Sequence, residues 1–423
     1  MFFKKKAIDY DSESLSAQTW RRFKRNKLSM LGLFVILISC IISILGYLIT
    51  SDQTPYANDQ KPELHIKAPG FSSRFLVAVK NDVNVKPSFF KTMIFGSYDN
   101  YTAFTLYNYF FKGPNVLIEE FTGNTDNKGT ITKMNIADVV YAIDSKSPIV
   151  YDTLKGTLSF YEIGTTEKIT KSIAELRKIV QEKHIITKKY FLGTDLLGRD
   201  LLSRLLIGTR ISLSVGLVSV IISIFIGILL GALAGYYRGT TDTAIMWLIN
   251  VVWSIPTLLL VIAITLVLGK GVIQVFIAVG LTMWVEVARI VRGQILSIRE
   301  KEFVEAGRAL GFKNMRIILR HILPNVMGPV VVMAASNFAS AILTEAGLSF
   351  LGIGAQPPVP SWGEMISQHH GYILMEKAYL AFIPGSAIMV LVLAFMLVGN
   401  GLRDALDTRS LDDKPIGATG AGA

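Results

Sequence analysis

The sequence predicts an all-α polytopic membrane protein of six transmembrane helices, with an inserted extracytoplasmic α+β domain between the first and second. Three observations predict it. Of the 423 residues, 51% are hydrophobic and 18% charged, where soluble domains carry about a quarter charged. The apolar residues collect in runs of membrane length. One stretch, 51–190, has no such run and reads as a polar folded unit.

The first run, 28–49, has 22 residues and no charge. As a helix it spans about 33 Å, against a hydrocarbon core of ~30 Å. That length, with no small-residue cleavage site behind it, predicts a retained span and not a signal peptide. Further spans are read at 211–236, 244–268, 272–291, 327–352 and 380–402. Pro256 is expected to kink the third. Glu286 and Arg289, near the cytoplasmic end of the fourth, are spaced to pair at i, i+3. Gly227, Gly231 and Gly235 make a small-xxx-small ridge on the second, which lets another helix come close. The lone cysteine, Cys40, falls inside the first run; it permits no intrachain disulfide and reads as a packing residue.

Basic residues at span ends set the orientation. Lys4, Lys5, Lys6, Arg21, Arg22, Lys24, Arg25 and Lys27 precede the first span, so the segment 1–27 is expected on the cytoplasmic side. Arg238, the segment 292–326 with its seven Lys/Arg, and the tail 406–423 with Arg409 then fall on the same side; Arg403 flanks that tail. The loop 353–379, holding only Lys377, falls outside. These flanks account for the net charge of +11, and no arginine stripe with interleaved aromatics points to nucleic acid. Membrane lipid is the expected surrounding.

By the same topology 51–190 is extracytoplasmic. Residues 139–164 alternate short β-branched and aromatic runs with turn residues, as strands do, and 173–185 has helical apolar spacing. Asn100-Tyr101-Thr102 fits a glycosylation acceptor triplet. The remainder, 191–405, would form a five-helix core, and the final 416–423 is expected to be flexible.

No catalytic pattern is present. The phosphate-cradling G-x-x-x-x-G-K-[ST] run is missing, and Gly269-Lys270-Gly271 is a fragment of it at most. His369-His370 reads as a surface pair, so no metal and no cofactor are expected on this chain. The spans are almost free of ionisable groups. The exception is Glu345, with Asn337 two turns earlier: either a substrate path or a structural hydrogen bond.

The segment 292–326 is longer than a connector needs. Phe303, Ala306, Gly307 and Leu310 recur at i, i+3, i+4 and i+7. Glu300, Glu302 and Glu305 stand at the start, where the helix dipole favours anions. Gly311 is placed as a helix-ending glycine. A second helical run, 314–323, is expected to stop before Pro324. Gly307 costs ~1 kcal/mol relative to alanine, which suggests close packing there. A helix, a glycine turn and a helix at the inner face read as a docking surface for a cytoplasmic partner.

This segment resembles the EAA loop of bacterial ABC-importer permeases. It carries Glu305-Ala306-Gly307, then Gly311, then Leu323-Pro324 at the family spacing, with Gly307 in place of the second alanine and His321 where isoleucine is expected. TWRRFKRNKLSMLGL (19–33), FLGTDLLGRDLLSRLLIGTRISLSVGL (191–217), LTEAGLSFLGIGAQPPVPSWGEMI (343–366) and GNGLRDALDTR (399–409) resemble the C-type permease of the oligopeptide/dipeptide/nickel branch. Asn400 and Thr408 depart from the usual Asp and Pro. Nothing in the resemblance covers 51–190.

The resemblance implies a type I importer fold and a mechanism. Two permeases form the pore. Two cytoplasmic ATPases, using ATP and Mg, receive a coupling helix built from Glu305, Ala306, Gly307, Arg308, Leu310, Gly311 and Pro324. An extracytoplasmic binding protein delivers a peptide. A nickel chelate or other small solute is the alternative cargo. From another class, a membrane-anchored receptor or enzyme would act through 51–190.

Overall fold

The computed structural model describes residues 15–82, 88–124, 127–144 and 147–407. Lys4, Lys5, Lys6, Thr408, Arg409 and the terminal 416–423 lie outside the described residues. Helix α1 (Leu15–Arg25) ends in Arg22, Lys24 and Arg25. Asn26 then starts α2 (Lys27–Ile49), its side chain accepting from the Leu28 and Ser29 amides. A polar cap at this boundary lets an apolar helix begin without orphaned donors.

Between the first two long helices lie β1 (Phe71–Val79), α3 (Phe89–Phe95), β2 (Tyr101–Lys112), β3 (Asn115–Glu120), β4 (Ile131–Asn135), α4 (Ile136–Val140), β5 (Val150–Asp152), β6 (Thr157–Tyr161), β7 (Lys168–Ser172), α5 (Ile173–Ile179) and β8 (Ile185–Tyr190). One sheet runs β4-β3-β2-β1-β8, another β5-β6-β7. Alternation turns Leu158 and Phe160 of β6 inward, onto Leu76, Val116, Ile118, Ile136 and Leu176. The segment thus buries a core of its own. The reading of 139–164 as strands fails at its start, where α4 reaches Val140. The helix expected over 173–185 ends at Ile179 and continues as one π-turn to His184. Phe71 pairs with Tyr190, so first and last strands lie side by side, and a long insertion leaves and rejoins the bundle at one place.

Helix α6 (Leu201–Tyr237) begins ten residues before the span read at 211–236. Its early arginines are tolerated because partners elsewhere in the chain hold them. The third span, read at 244–268 as one kinked helix, is two: α7 (Gly239–Trp253) and α8 (Thr257–Leu268), bent by 91°. Pro256 does not kink a helix; it caps α8, since proline has no amide to donate and disfavours helix in the residue before it. Helix α9 (Val272–Ile298) outruns its predicted end by seven residues. Then come α10 (Glu302–Ala309), α11 (Asn314–Ile317), α12 (Leu323–Phe350), α13 (Trp362–His369) and α14 (Tyr379–Leu406).

The chain does not stop at Pro324. A π-turn over Ile318–Ile322 joins α11 to α12 into one stretch, Asn314–Phe350. The Leu323 amide reaches back to the Ile318 carbonyl. That wider turn accommodates a proline near the helix start, where its missing donor is least costly. Among the described residues, five helices are long and apolar enough to cross a membrane, or six if α7 and α8 count as one span.

The glycine ridge is used within the chain, along α6 and α9. A Cβ on Gly227 would lie 2.5 Å from Val287 Cβ, one on Gly231 2.6 Å from the Ala288 carbonyl, and one on Gly235 2.9 Å from Ile295 Cβ. Cys40 packs, half-buried, beside the cluster around Leu391 and Phe395.

Candidate functional site

The elbow of α10 and α11 is closed by two backbone bonds, Gly311 N–H to the Arg308 carbonyl (2.9 Å) and Phe312 N–H to the Gly307 carbonyl (3.1 Å). Gly311 sits at φ +77°, the left-handed position this turn requires. The face that packs is not the one the spacing suggests. Val304, Gly307, Ile317 and Ile318 are buried, whereas Phe303, Ala306 and Leu310 are exposed. The base of the elbow is Tyr236 with Ile295, Ile322 and Val326. Tyr236 O–H donates to Asn314 Oδ1 (2.8 Å), and its carbonyl accepts from the Arg299 guanidinium. Arg308 lies 5.5 Å from the Tyr236 ring centroid, and Arg316 4.2 Å from that of Phe312. The elbow is therefore braced on the end of α6, and it offers outward an apolar strip edged by Glu302, Glu305, Lys313 and Arg320.

Gly307 is not forced by its own chain. A Cβ there would meet Phe312 at 3.5 Å, an ordinary contact. His321, in the place of the expected isoleucine, stacks on Phe312 with ring centroids 5.7 Å apart. Pro324 is exposed at the start of α12.

A second feature sits midway along the bundle, where α7 and α8 break. A cavity of about 260 Å³ is lined there by Trp253, Thr257, Thr282, Glu286, Asn337 and Ser340, among others. Asn337 is 2% exposed, and its side-chain amide nitrogen has no hydrogen-bond partner. The expected pairing of Glu286 with Arg289 is not made. Arg289 instead lies 3.9 Å from the Trp253 ring centroid and donates to Asn250 Oδ1 (3.0 Å). Asn337 and Glu345 do not share a site. Eight residues of helix turn them about 80° apart. Glu345 is buried facing Ser361 and Glu364 at the start of α13, and it accepts from Ser349 Oγ of its own helix at 2.6 Å.

A third feature was not foreseen from the sequence. The turn leading into α6 and the start of α13 enclose a buried ionic knot. Arg199 Nε lies 2.6 Å from Asp195 Oδ2, and Arg204 lies 3.4 Å from the same carboxylate and 3.1 Å from Glu364. Arg199 also donates to Asn58 and Gln368. Burial pushes the Glu364 carboxyl up, an effect the neighbouring Arg204 and Arg199 oppose. His369 is not a surface residue. It is fully buried, its Nδ1 donates to the Met365 carbonyl (2.6 Å), and burial pulls its pKa down. Only His370 is exposed. No cluster of three or more metal-ligating side chains occurs among the described residues.

With these three features in place, comparison decides the family. Residues 227–411 match the binding-protein-dependent transport system inner membrane component, and 14–69 match the N-terminal TM domain of oligopeptide transport permease C. The glutathione transport system permease protein GsiD of Pectobacterium atrosepticum is 43% identical over 220 residues, 52% of this chain and 73% of that protein. The dipeptide transport system permease protein DppC of Alkalihalophilus pseudofirmus is 41% identical over 221 residues, 52% of this chain and 72% of that one. This chain belongs to the ABC importer permeases of the oligopeptide/dipeptide branch. Of solved structures, an inward-facing methionine ABC transporter aligns with 48% of the permease and 97% of its own chain, at 19% identity and a TM-score of 0.42. By its family and its long apolar helices, the permease is a multi-pass inner-membrane transport component. Its elbow and cavity break fall within the matched 227–411, as does Glu364 of the ionic knot, whereas Asp195, Arg199, Arg204 and most of the sheet-bearing segment fall in neither matched region.

Proposed function

We propose that this permease is one of two forming the translocation path of an importer of oligopeptides or dipeptides. The elbow faces the cytoplasm and seats in a cleft of an ATPase subunit; two such ATPases hydrolyse ATP with Mg. The sheet-bearing 51–190 is extracytoplasmic, and a binding protein delivers the peptide on that side. The basic flanks of α1 and of the elbow support this orientation. The names of the relatives support a peptide cargo.

One observation carries the reading. The elbow is rigid underneath and apolar on top: Val304 and Ile317 are fixed on α6 while Phe303, Ala306 and Leu310 are held outward between charges. Such a strip serves a protein partner. Glu305, Arg308 and Gly311 set its charge and its angle. Asn337, with an unsatisfied amide in the cavity at the helix break, lies on the solute path; Glu345 has the structural role of holding α12 to the α13 side.

The test is Leu310→Asp in the complete transporter with its binding protein. Permease insertion is expected to persist while peptide uptake and peptide-stimulated ATP hydrolysis fall at least tenfold. Normal uptake would sink the docking assignment. Uptake of a nickel chelate with no uptake of labelled dipeptide would sink the cargo assignment alone.

A further inference from the structure

Helix α3 reads FFKTMIF and buries none of its seven residues. Phe89, Phe90, Ile94, Phe95 and the following Tyr98 are each at least half exposed. A water-facing patch of that kind on a folded segment calls for a covering surface. The segment's own core leaves α3 out.

The position of α3 is fixed by α2 and α6. The Arg210 guanidinium of α6 donates to the Ser43 and Ile44 carbonyls of α2 (2.8 and 3.2 Å) and to the Met93 and Ile94 carbonyls of α3 (2.9 and 2.5 Å). Below α3, Gly96 fits where a Cβ would lie 2.7 Å from the Gln53 carbonyl, and the Ser97 amide bonds that carbonyl at 2.8 Å. Ile44 lies five residues before the end of α2, about 7.5 Å along the axis. The carboxyl end of α3 is therefore level with the outer turns of a membrane-spanning helix. The exposed Ile41, Ile44 and Ile49 of α2 continue the same apolar belt.

Behind α3 is a cavity of about 820 Å³. Its polar wall includes Lys80, Lys91, Asp82 and Asp99; its apolar wall includes Ile207 and Ile211 of α6. Arg210 also borders it, but four of its five N–H donors are committed to backbone carbonyls. Two cations and two anions above an apolar floor match a headgroup carrying both a phosphate and an amine, with an acyl chain beneath.

We propose that α3 lies in the outer leaflet of the bilayer, and that the cavity behind it holds a zwitterionic phospholipid. Aromatic side chains at headgroup depth and lysines reaching past them are the physical basis. The lysines meet the phosphate, the aspartates meet the amine, and the inserted segment is pinned to the membrane at a second point besides its two chain connections.

The test uses the complete transporter in nanodiscs containing phosphatidylethanolamine, in a Cys40→Ala background. A nitroxide is placed at Phe90→Cys or, as a water-exposed control, at Leu154→Cys, which is 98% exposed. The ratio of oxygen to aqueous nickel-chelate collisions is expected to be severalfold higher at 90 than at 154. Equal ratios, or a site at 90 shielded from both reagents by a protein partner, would overturn the lipid assignment. Native mass spectrometry of the wild type is expected to retain a phosphatidylethanolamine adduct that Lys80→Ser/Lys91→Ser loses. An adduct kept unchanged by that variant would overturn the headgroup site.

Discussion

Replacing Arg204 by methionine should be among the most damaging changes in the permease, because Arg204 is fully buried. Its guanidinium is fully buried between Asp195 and Glu364. Asp195 would survive the loss. It keeps Arg199 at 2.6 Å and accepts the Leu197 and Arg199 amides at 2.9 Å each. Glu364 would not. Arg204 is its ion-pair partner, and its other oxygen, Oε1, already lacks a hydrogen bond. A buried carboxylate stripped of its partner costs ~3–5 kcal/mol. Protonation caps that cost: carrying a carboxyl from 4.5 to neutral pH takes about 2.5 units, about 3.4 kcal/mol at 1.36 per unit. The expected loss at pH 7 is therefore about 3 kcal/mol. Thermal unfolding of the purified complex would measure it, with Arg204→Met/Glu364→Gln expected to regain more than half. Arg204→Met as stable as wild type, or a double variant no better than the single, would refute the argument.

Other consequences follow from the same geometry. Gly231→Val should cost at least ~1–3 kcal/mol by overpacking, because its Cβ would meet the Ala288 carbonyl at 2.6 Å and Val291 at 2.9 Å; a thermal shift of the purified permease reads it. Gly307→Ala should stabilise α10 by up to ~1 kcal/mol and leave peptide uptake unchanged, since its Cβ has room against Phe312. Titration of His369 should make the wild type lose stability as pH falls below 6.5. The buried ring has a depressed pKa, so the unfolded chain binds the extra proton first, and folding opposes it. The facing groups are Asp195, Arg199 and Arg204; in His369→Gln the unfolding midpoint should vary less between pH 7.5 and 5.5.

How much of this was legible in the sequence depended on whether the partners were local. The ridge of Gly227, Gly231 and Gly235 reads directly, because one helix face carries its own spacing. The Gly311 turn reads as well, because four residues define it. The start of α6 was read late because Arg204 looks like a boundary until Glu364, 160 residues away, is known to face it. His369 looked like a surface pair for the same reason. The elbow's periodicity was right and its phase was not: whether Val304 or Phe303 points inward is decided by Tyr236 on another helix. The break at Pro256 was foreseen as a kink, but the 91° bend accompanies partners distant in sequence: α7 packs Ile249 beside Trp284 and Ala288 of α9, and its Asp242 accepts from Arg292. In 51–190, the β5–β6 hairpin is local, whereas the pairing of Phe71 with Tyr190 joins residues that no window of the sequence contains.

The distribution of rigidity along the bundle argues for where motion occurs. At one end the ionic knot ties α6, α13 and the chain before the sheets into a single buried unit. At the other end the elbow is braced through Tyr236 onto α6, and α6 is locked to α9 along the glycine ridge. A push on the elbow therefore moves α6, α9 and α12 together, because each interface would have to break to move separately. Helix α7 is more exposed than these: tied to α9 through Ile249 and the Asp242–Arg292 pair, it meets α8 at a 91° break beside the Asn337 cavity. Close-packed contacts yield in steps and not by gradual deformation, so the compliant joint is at Ser254–Pro256. A disulfide across that joint, Val252→Cys with a cysteine on facing α9 or α12, should lock transport while leaving the proposed ATPase docking at the elbow intact; unimpeded uptake in the oxidised complex would place the hinge elsewhere.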